Sequence, residues 1–138
     1  MGQVNIRIKV ANWLDLEKIV LGERTEPARA VEVEALVDTG AVMLYLCASH
    51  VKALGLRPVR KLVSRTMANV SVERVVYSPV DLEIQGRSAT MEVVELPDSL
   101  PNIVGQIPLE RLDWVVDPRH QKLIPNPEHK HGELCDDF

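Results

Sequence analysis

Val4, Ile6, Ile8 and Val10 alternate with Asn5, Arg7 and Lys9, the period-two pattern of a strand buried on one face. The pattern lapses over residues 12–29. There Trp13-Leu14-Asp15-Leu16-Glu17-Lys18-Ile19-Val20 fits a strand or a helical turn, and Gly22 to Arg29 reads as a loop. Alternation resumes at Val31, Val33, Ala35 and Val37 and runs directly into Asp38-Thr39-Gly40, with a further apolar stretch from Val42 to Cys47. Ser49 is placed to cap a short helix, His50 to Leu54, that Gly55 ends in the left-handed conformation. Strands are expected at 59–67, 71–84 and 88–96, with turns at Ala68-Asn69-Val70 and Gln85-Gly86-Arg87. Pro79 inside the long middle strand demands an edge position or a bulge. After a break at Asp98 to Pro101, Asn102-Ile103-Val104-Gly105 predicts a short buried strand. Pro108 suits the first position of a helix to Asp113, with Leu109 and Leu112 inward. A last hairpin joins Trp114-Val115-Val116 to Lys122-Leu123-Ile124 around Asp117-Pro118-Arg119-His120. The reading is one mostly-β domain over residues 1–125, one or two short helices, and a polar tail over 126–138.

Composition sharpens that picture in two ways. Aromatic residues make up only 4% of the 138 positions, so Val, Leu and Ile must build the core, which favours sheet. A formal charge of −4 argues against nucleic acid as a partner, because phosphate neutralisation calls for a concentrated basic face. The local basic run Arg57-Pro58-Val59-Arg60-Lys61, with Arg65 beyond it, reads as a solvated loop entering a strand. No stretch of 18 apolar residues exists and the first residues lack a signal peptide's apolar block, so no membrane role and a cytoplasmic location are expected. Cys47 follows an apolar strand and Cys135 lies in the polar tail, a placement that suggests no bridge. Cys47 is expected as a small core thiol rather than a nucleophile with His50.

The chemistry-bearing candidate is Asp38. An apolar strand delivers it into a turn, where its carboxylate is expected to be partly desolvated. Thr39 offers a hydroxyl, and Gly40 lets the backbone turn sharply and aim an amide N–H at the carboxylate. Two such carboxylates face to face share one proton, so that one can activate a water while the other donates to a carbonyl. The competing reading of Asp38-Thr39-Gly40 is a plain strand-to-loop turn, which favours Asp and Gly for their own sake. Other acids, Asp15, Asp81, Asp98, Asp113 and Asp117, fall mostly at turns or helix ends and are expected to be solvated. His129 and His131 with Glu128 are weak evidence for a metal, and no metal site is expected. Ser64, Ser71 and Ser78 lack a neighbouring His–Asp pattern.

Leu36-Val37-Asp38-Thr39-Gly40-Ala41 resembles the catalytic loop of retropepsin-like aspartic proteases, the retroviral type and its bacterial relatives. Ile103-Val104-Gly105 resembles that family's hydrophobic-hydrophobic-Gly segment, and the stretch from Leu112 to Pro125 is similar to the ending of bacterial members. The resemblance covers about residues 30–125 and implies an acid-protease half-barrel fold. It also implies Asp38 as catalytic acid/base and Thr39, Gly40 and Ala41 as its support, Thr39 reaching across a dimer. Thr66, Met67, Ala68, Asn69 and Val70 would form a flap over an extended peptide, although Ala68-Asn69-Val70 carries none of a mobile flap tip's glycines. Ile103, Val104 and Gly105 would pass beside the catalytic loop. The mechanism requires two aspartates and no second Asp-Thr-Gly or Asp-Ser-Gly is present, so the partner aspartate is expected from a symmetric second copy. The expected function is therefore a homodimeric aspartic endopeptidase acting on peptide or protein substrates without cofactor. The alternative is a dimeric binding or scaffold module on the same fold.

Overall fold

The computed structural model describes residues 3–66 and 68–129. Among these residues nine strands and three short helices follow one another: β1 Val4–Asn12, α1 Trp13–Val20, β2 Ala30–Val37, β3 Leu44–Cys47, α2 Ala48–Ala53, β4 Pro58–Arg65, β5 Ser71–Ile84, β6 Arg87–Leu96, β7 Ile103–Val104, α3 Gln106–Leu112, β8 Trp114–Asp117 and β9 Lys122–Pro125. The expected mostly-β character holds. The third helix, α1, occupies the stretch whose pattern fitted either element; Asn12 decides it by accepting the Asp15 N–H as an N-cap.

Seven strands form one mixed sheet in the order β1-β2-β7-β3-β6-β5-β4, and an added β1–β5 pairing curls it into a ring. Strand β5 makes this closure possible. Its Ser71–Tyr77 half pairs with β4, and its Val80–Glu83 part pairs with β1. The changeover falls at Ser78-Pro79, where the β5–β6 register slips between Tyr77 and Val80. Pro79 donates nothing to a ladder and so sits at the bulge that bends the strand from one neighbour to the next. Within the ring, β7 runs parallel to β2 and antiparallel to β3, while β3 runs parallel to β6.

Alternation places Ile8, Val10, Leu44, Leu46, Val80, Leu82, Ile84 and Val93 in the core, joined by Leu54 from the end of α2 and Leu109 and Leu112 from α3. The β8–β9 hairpin closes one side, its Trp114 donating from Nε1 to the Ile84 carbonyl at 3.1 Å under the Arg87 guanidinium.

Several local expectations need correcting. Helix α2 begins at Ala48 and carries no side-chain cap of its own; instead Asp98 Oδ1, from the turn just after β6, accepts the Ser49 N–H at 3.0 Å. Helix α3 starts two residues before Pro108, with Gly105 as N-cap, because the backbone leaving β7 already turns there. The basic run does lead into a strand as expected, Arg57 lying before β4 and Pro58 to Lys61 within it, so the strand begins one residue earlier.

Asp15 and Asp113 are buried rather than solvated. Asp15 is gripped through both oxygens by Arg29, and Asp113 Oδ2 lies 2.6 Å from His129 Nδ1. In each case a partner distant in sequence supplies the compensation that local pattern could not reveal. Among the described residues no helix is long and apolar enough to cross a membrane.

Candidate functional site

Strand β2 ends at Val37 and hands the chain to a loop, 38–43, that returns into β3. The loop is braced almost wholly by backbone. Asp38 N–H donates to the Val104 carbonyl at 3.0 Å and Ala41 N–H to the Asp38 carbonyl at 3.1 Å. From the other side, the N–H groups of Gly105, Gln106 and Ile107 donate to the carbonyls of Met43, Ala41 and Val42 at 2.8, 2.8 and 2.9 Å. Three successive donors thus grip three loop carbonyls, and the loop's shape is fixed by the segment that follows β7.

Gly105 is required by space, not by torsion. A Cβ there would lie 2.5 Å from the Met43 oxygen, 2.7 Å from the Val42 carbonyl carbon and 2.8 Å from the Ala41 carbonyl carbon. All three are backbone atoms, so no side chain can swing away to make room. Ile103, Val104 and Gly105 therefore lie directly against the Asp38 loop.

The Asp38 carboxylate accepts the Gly40 N–H on Oδ1 at 2.9 Å. The sequence suggested partial desolvation, but Asp38, Thr39 and Gly40 are all exposed in the single chain, because β2 ends at an open cleft. That cleft, of about 500 Å³, is bordered by Gln3, Val4, Leu36, Val116 and Pro118 together with Asp38 and Thr39. The Thr39 hydroxyl has no hydrogen-bond partner among the described residues. On the other side of the same loop, Met43, Met91, Ile107 and Arg111 line a second cleft of about 410 Å³.

The hairpin tip lies elsewhere. Thr66 and Ala68 to Val70 join β4 to β5, and none of them borders the Asp38 cleft; Met67 falls outside the described residues. Thr66 N–H donates to the Val70 carbonyl and Asn69 N–H to the Thr66 carbonyl, both at 2.9 Å. Asn69 takes φ +60°, the position that glycine usually fills in such a turn. Asn tolerates this left-handed geometry better than other side chains, which explains a tip without glycine.

Asn102 went unnoticed as a positioning residue. It is buried, its Oδ1 accepts the Cys47 N–H and its Nδ2 donates to the Glu34 carbonyl, each at 2.9 Å, while its own carbonyl accepts the Leu36 N–H at 2.8 Å. It ties β2 to the end of β3 just before β7 enters between them. A polar residue immediately ahead of Ile103-Val104 was the signal available. Cys47 is a buried free thiol whose Sγ donates to the Leu100 carbonyl at 2.9 Å, and burial pushes its pKa up, which disfavours the thiolate a nucleophile needs. Among the described residues no cluster of His, Cys, Asp and Glu could hold a metal; His131 and Cys135 lie outside them. Compared with known proteins, the sequence matches no family model and no curated protein.

Proposed function

We propose that this chain is an aspartic endopeptidase of the retropepsin-like type, active as a homodimer in which each copy supplies one Asp38. The observation that carries the reading is the Asp38 loop itself. Its carboxylate is presented to an open cleft by a backbone frame that holds it from both ends, and Gly105 is needed for the frame to close. A turn that merely reversed the chain would need no such brace. The ring-shaped sheet, the β4–β5 hairpin and the order Asp38 loop, β7, α3 agree with a retropepsin-like half-barrel.

Exposure of Asp38 and Thr39 fits half of a site. Brought together by a twofold axis, two Asp38 carboxylates lose water and face each other, so one proton is shared between them. The ionised carboxylate takes a proton from a bound water as that water attacks the peptide carbonyl carbon. The protonated one donates to the carbonyl oxygen, giving a tetrahedral gem-diol. Collapse of that intermediate breaks the C–N bond and returns a proton to the leaving amine. Gly40 N–H keeps one Asp38 oxygen oriented throughout. The free Thr39 hydroxyl is available to the partner copy, and the hairpin at Thr66 to Val70 to the substrate backbone.

The test is digestion of a peptide library by the purified protein from acidic to neutral pH, with Asp38→Asn and a statine-type inhibitor as controls. Cleavage abolished by both supports the reading. Intact peptides at every pH from a well-folded dimer overturn it in favour of a non-catalytic module.

A further inference from the structure

We propose that the pocket between α1 and the base of the β4–β5 hairpin binds a compact oxyanion of the phosphate class. The pocket has a volume of about 250 Å³, shares no lining residue with the Asp38 cleft, and lies between the Asp15–Lys18 face of α1 and the segments carrying Arg29, Gly55, Arg57 and Ser78. Asp15 and Lys18 stand three residues apart on the helix and so share a face.

The cationic lining is pre-shaped. Arg29 Nε and Nη2 donate to the two oxygens of Asp15 at 2.9 Å each, and Asp15 also accepts the Arg29 N–H at 3.0 Å. The guanidinium lies where a side chain on Gly55 would stand, and Gly55, at φ +64°, has none. Arg24 approaches the same carboxylate at 3.6 Å, so a single buried Asp15 already serves two guanidinium groups. Lys18 and Arg57 add two more cations, and among the described residues neither has a carboxylate within ion-pairing distance. Among the described residues the one other acid paired within this network is Glu26, an exposed partner of Arg24. A positive surplus in one pocket of a chain with net charge −4 favours an anion there.

The donor geometry narrows the class. Guanidinium edges and an ammonium arrayed around a small pocket match the several acceptor oxygens of a tetrahedral oxyanion better than a halide. Ser78 Oγ accepts the Arg57 N–H at 3.1 Å, which leaves its own O–H free to donate to a bound anion. Ser78 N–H in turn donates to the Arg57 carbonyl at 2.8 Å, so this pair is the rung that closes the hairpin's base. An anion held between Lys18 and Arg57 would tie that base to α1. The inference does not depend on the peptidase reading.

The experiment is a titration of inorganic phosphate into the ¹⁵N-labelled protein at constant ionic strength, followed by amide shifts. Saturable shifts at Lys18, Arg57 and Ser78 are expected. Lys18→Gln and Arg57→Gln, both exposed positions where the fold should persist, should each weaken binding about tenfold, the loss of one charge-assisted contact. Lys61→Gln should not. A phosphomonoester such as phosphoserine amide binding more tightly than phosphate identifies the ligand as a phosphoryl group on a larger molecule; weaker binding identifies free phosphate. The proposal is overturned by shifts that do not saturate, by shifts that chloride or acetate reproduces at equal concentration, or by phosphate affinity unchanged in both variants.

Discussion

Replacing Gly105 with Ala is the most direct probe of the frame around Asp38. The added methyl would sit 2.5 Å from the Met43 oxygen. Relaxed contact needs about 3.5 Å, so the loop or the start of α3 must shift by roughly 1 Å. That movement strains the three bonds from Gly105, Gln106 and Ile107 to the loop carbonyls. Overpacking costs about 1–3 kcal/mol, and each buried backbone group left without a partner costs about 1–3 kcal/mol more. A total loss of about 2–4 kcal/mol is expected. With a urea m-value of about 2 kcal/mol/M, the unfolding midpoint should fall by about 1–2 M. Gly86→Ala provides the contrast: no atom lies within 4 Å of its added Cβ, so only the positive φ of +90° is penalised, at about 1 kcal/mol. Equal midpoint shifts in the two variants, or a Gly105→Ala loss below about 0.5 kcal/mol, would refute the claim that backbone contact at Gly105 holds the loop.

Asp15 should govern acid stability on the α1 side. The Arg29 side-chain hydrogen bonds hold its carboxyl at about 2, below the ordinary 3.8, against the opposing effect of burial. A depressed folded-state pKa contributes stability that is present above 3.8 and lost as pH falls toward 2. The contribution is about 2 kcal/mol, and Asp15→Asn should flatten the unfolding free energy over that window and cost about 2–4 kcal/mol at neutral pH, read by denaturation at stepped pH. Asn102→Ala orphans the Cys47 N–H and the Glu34 carbonyl, and should cost about 2–4 kcal/mol in the same assay. At the hairpin tip, Asn69→Ala must hold φ +60° without Asn's local bonding and should raise amide exchange at Thr66 and Val70, whereas Asn69→Gly should lower it.

The strands were legible because alternation is a local property. Val4 to Val10 and Val31 to Val37 announce a buried face within a few residues, and Pro79 announces the bend in β5 by the donor it lacks. What escaped depends on partners far along the chain. Asp15 looks like any helix-start acid until Arg29 arrives fourteen residues later, and Ser49 looks like a cap until Asp98 takes the N–H from across the sheet. Asn102 is one polar letter before an apolar pair. Its two side-chain bonds span 55 and 68 residues, a separation at which no periodicity carries information.

Gly105 shows the boundary between the two kinds of reading. In the sequence it is a glycine after two apolar residues, a common strand ending. In the structure its φ of −88° is open to any residue, so turn chemistry does not explain it. Only the three backbone atoms of the Asp38 loop pressed against it do, and they belong to a segment more than sixty residues earlier. The contact between the Asp38 loop and Gly105 is thus a tertiary fact that no local pattern announces. The same logic separates the frame from the chemistry. One copy builds an exposed carboxylate with its backbone support in place, and among the described residues no second carboxylate borders its cleft, so the proposed catalysis requires an encounter between copies. Activity should therefore vary with the square of protein concentration below the dimer's dissociation constant, and linearly above it.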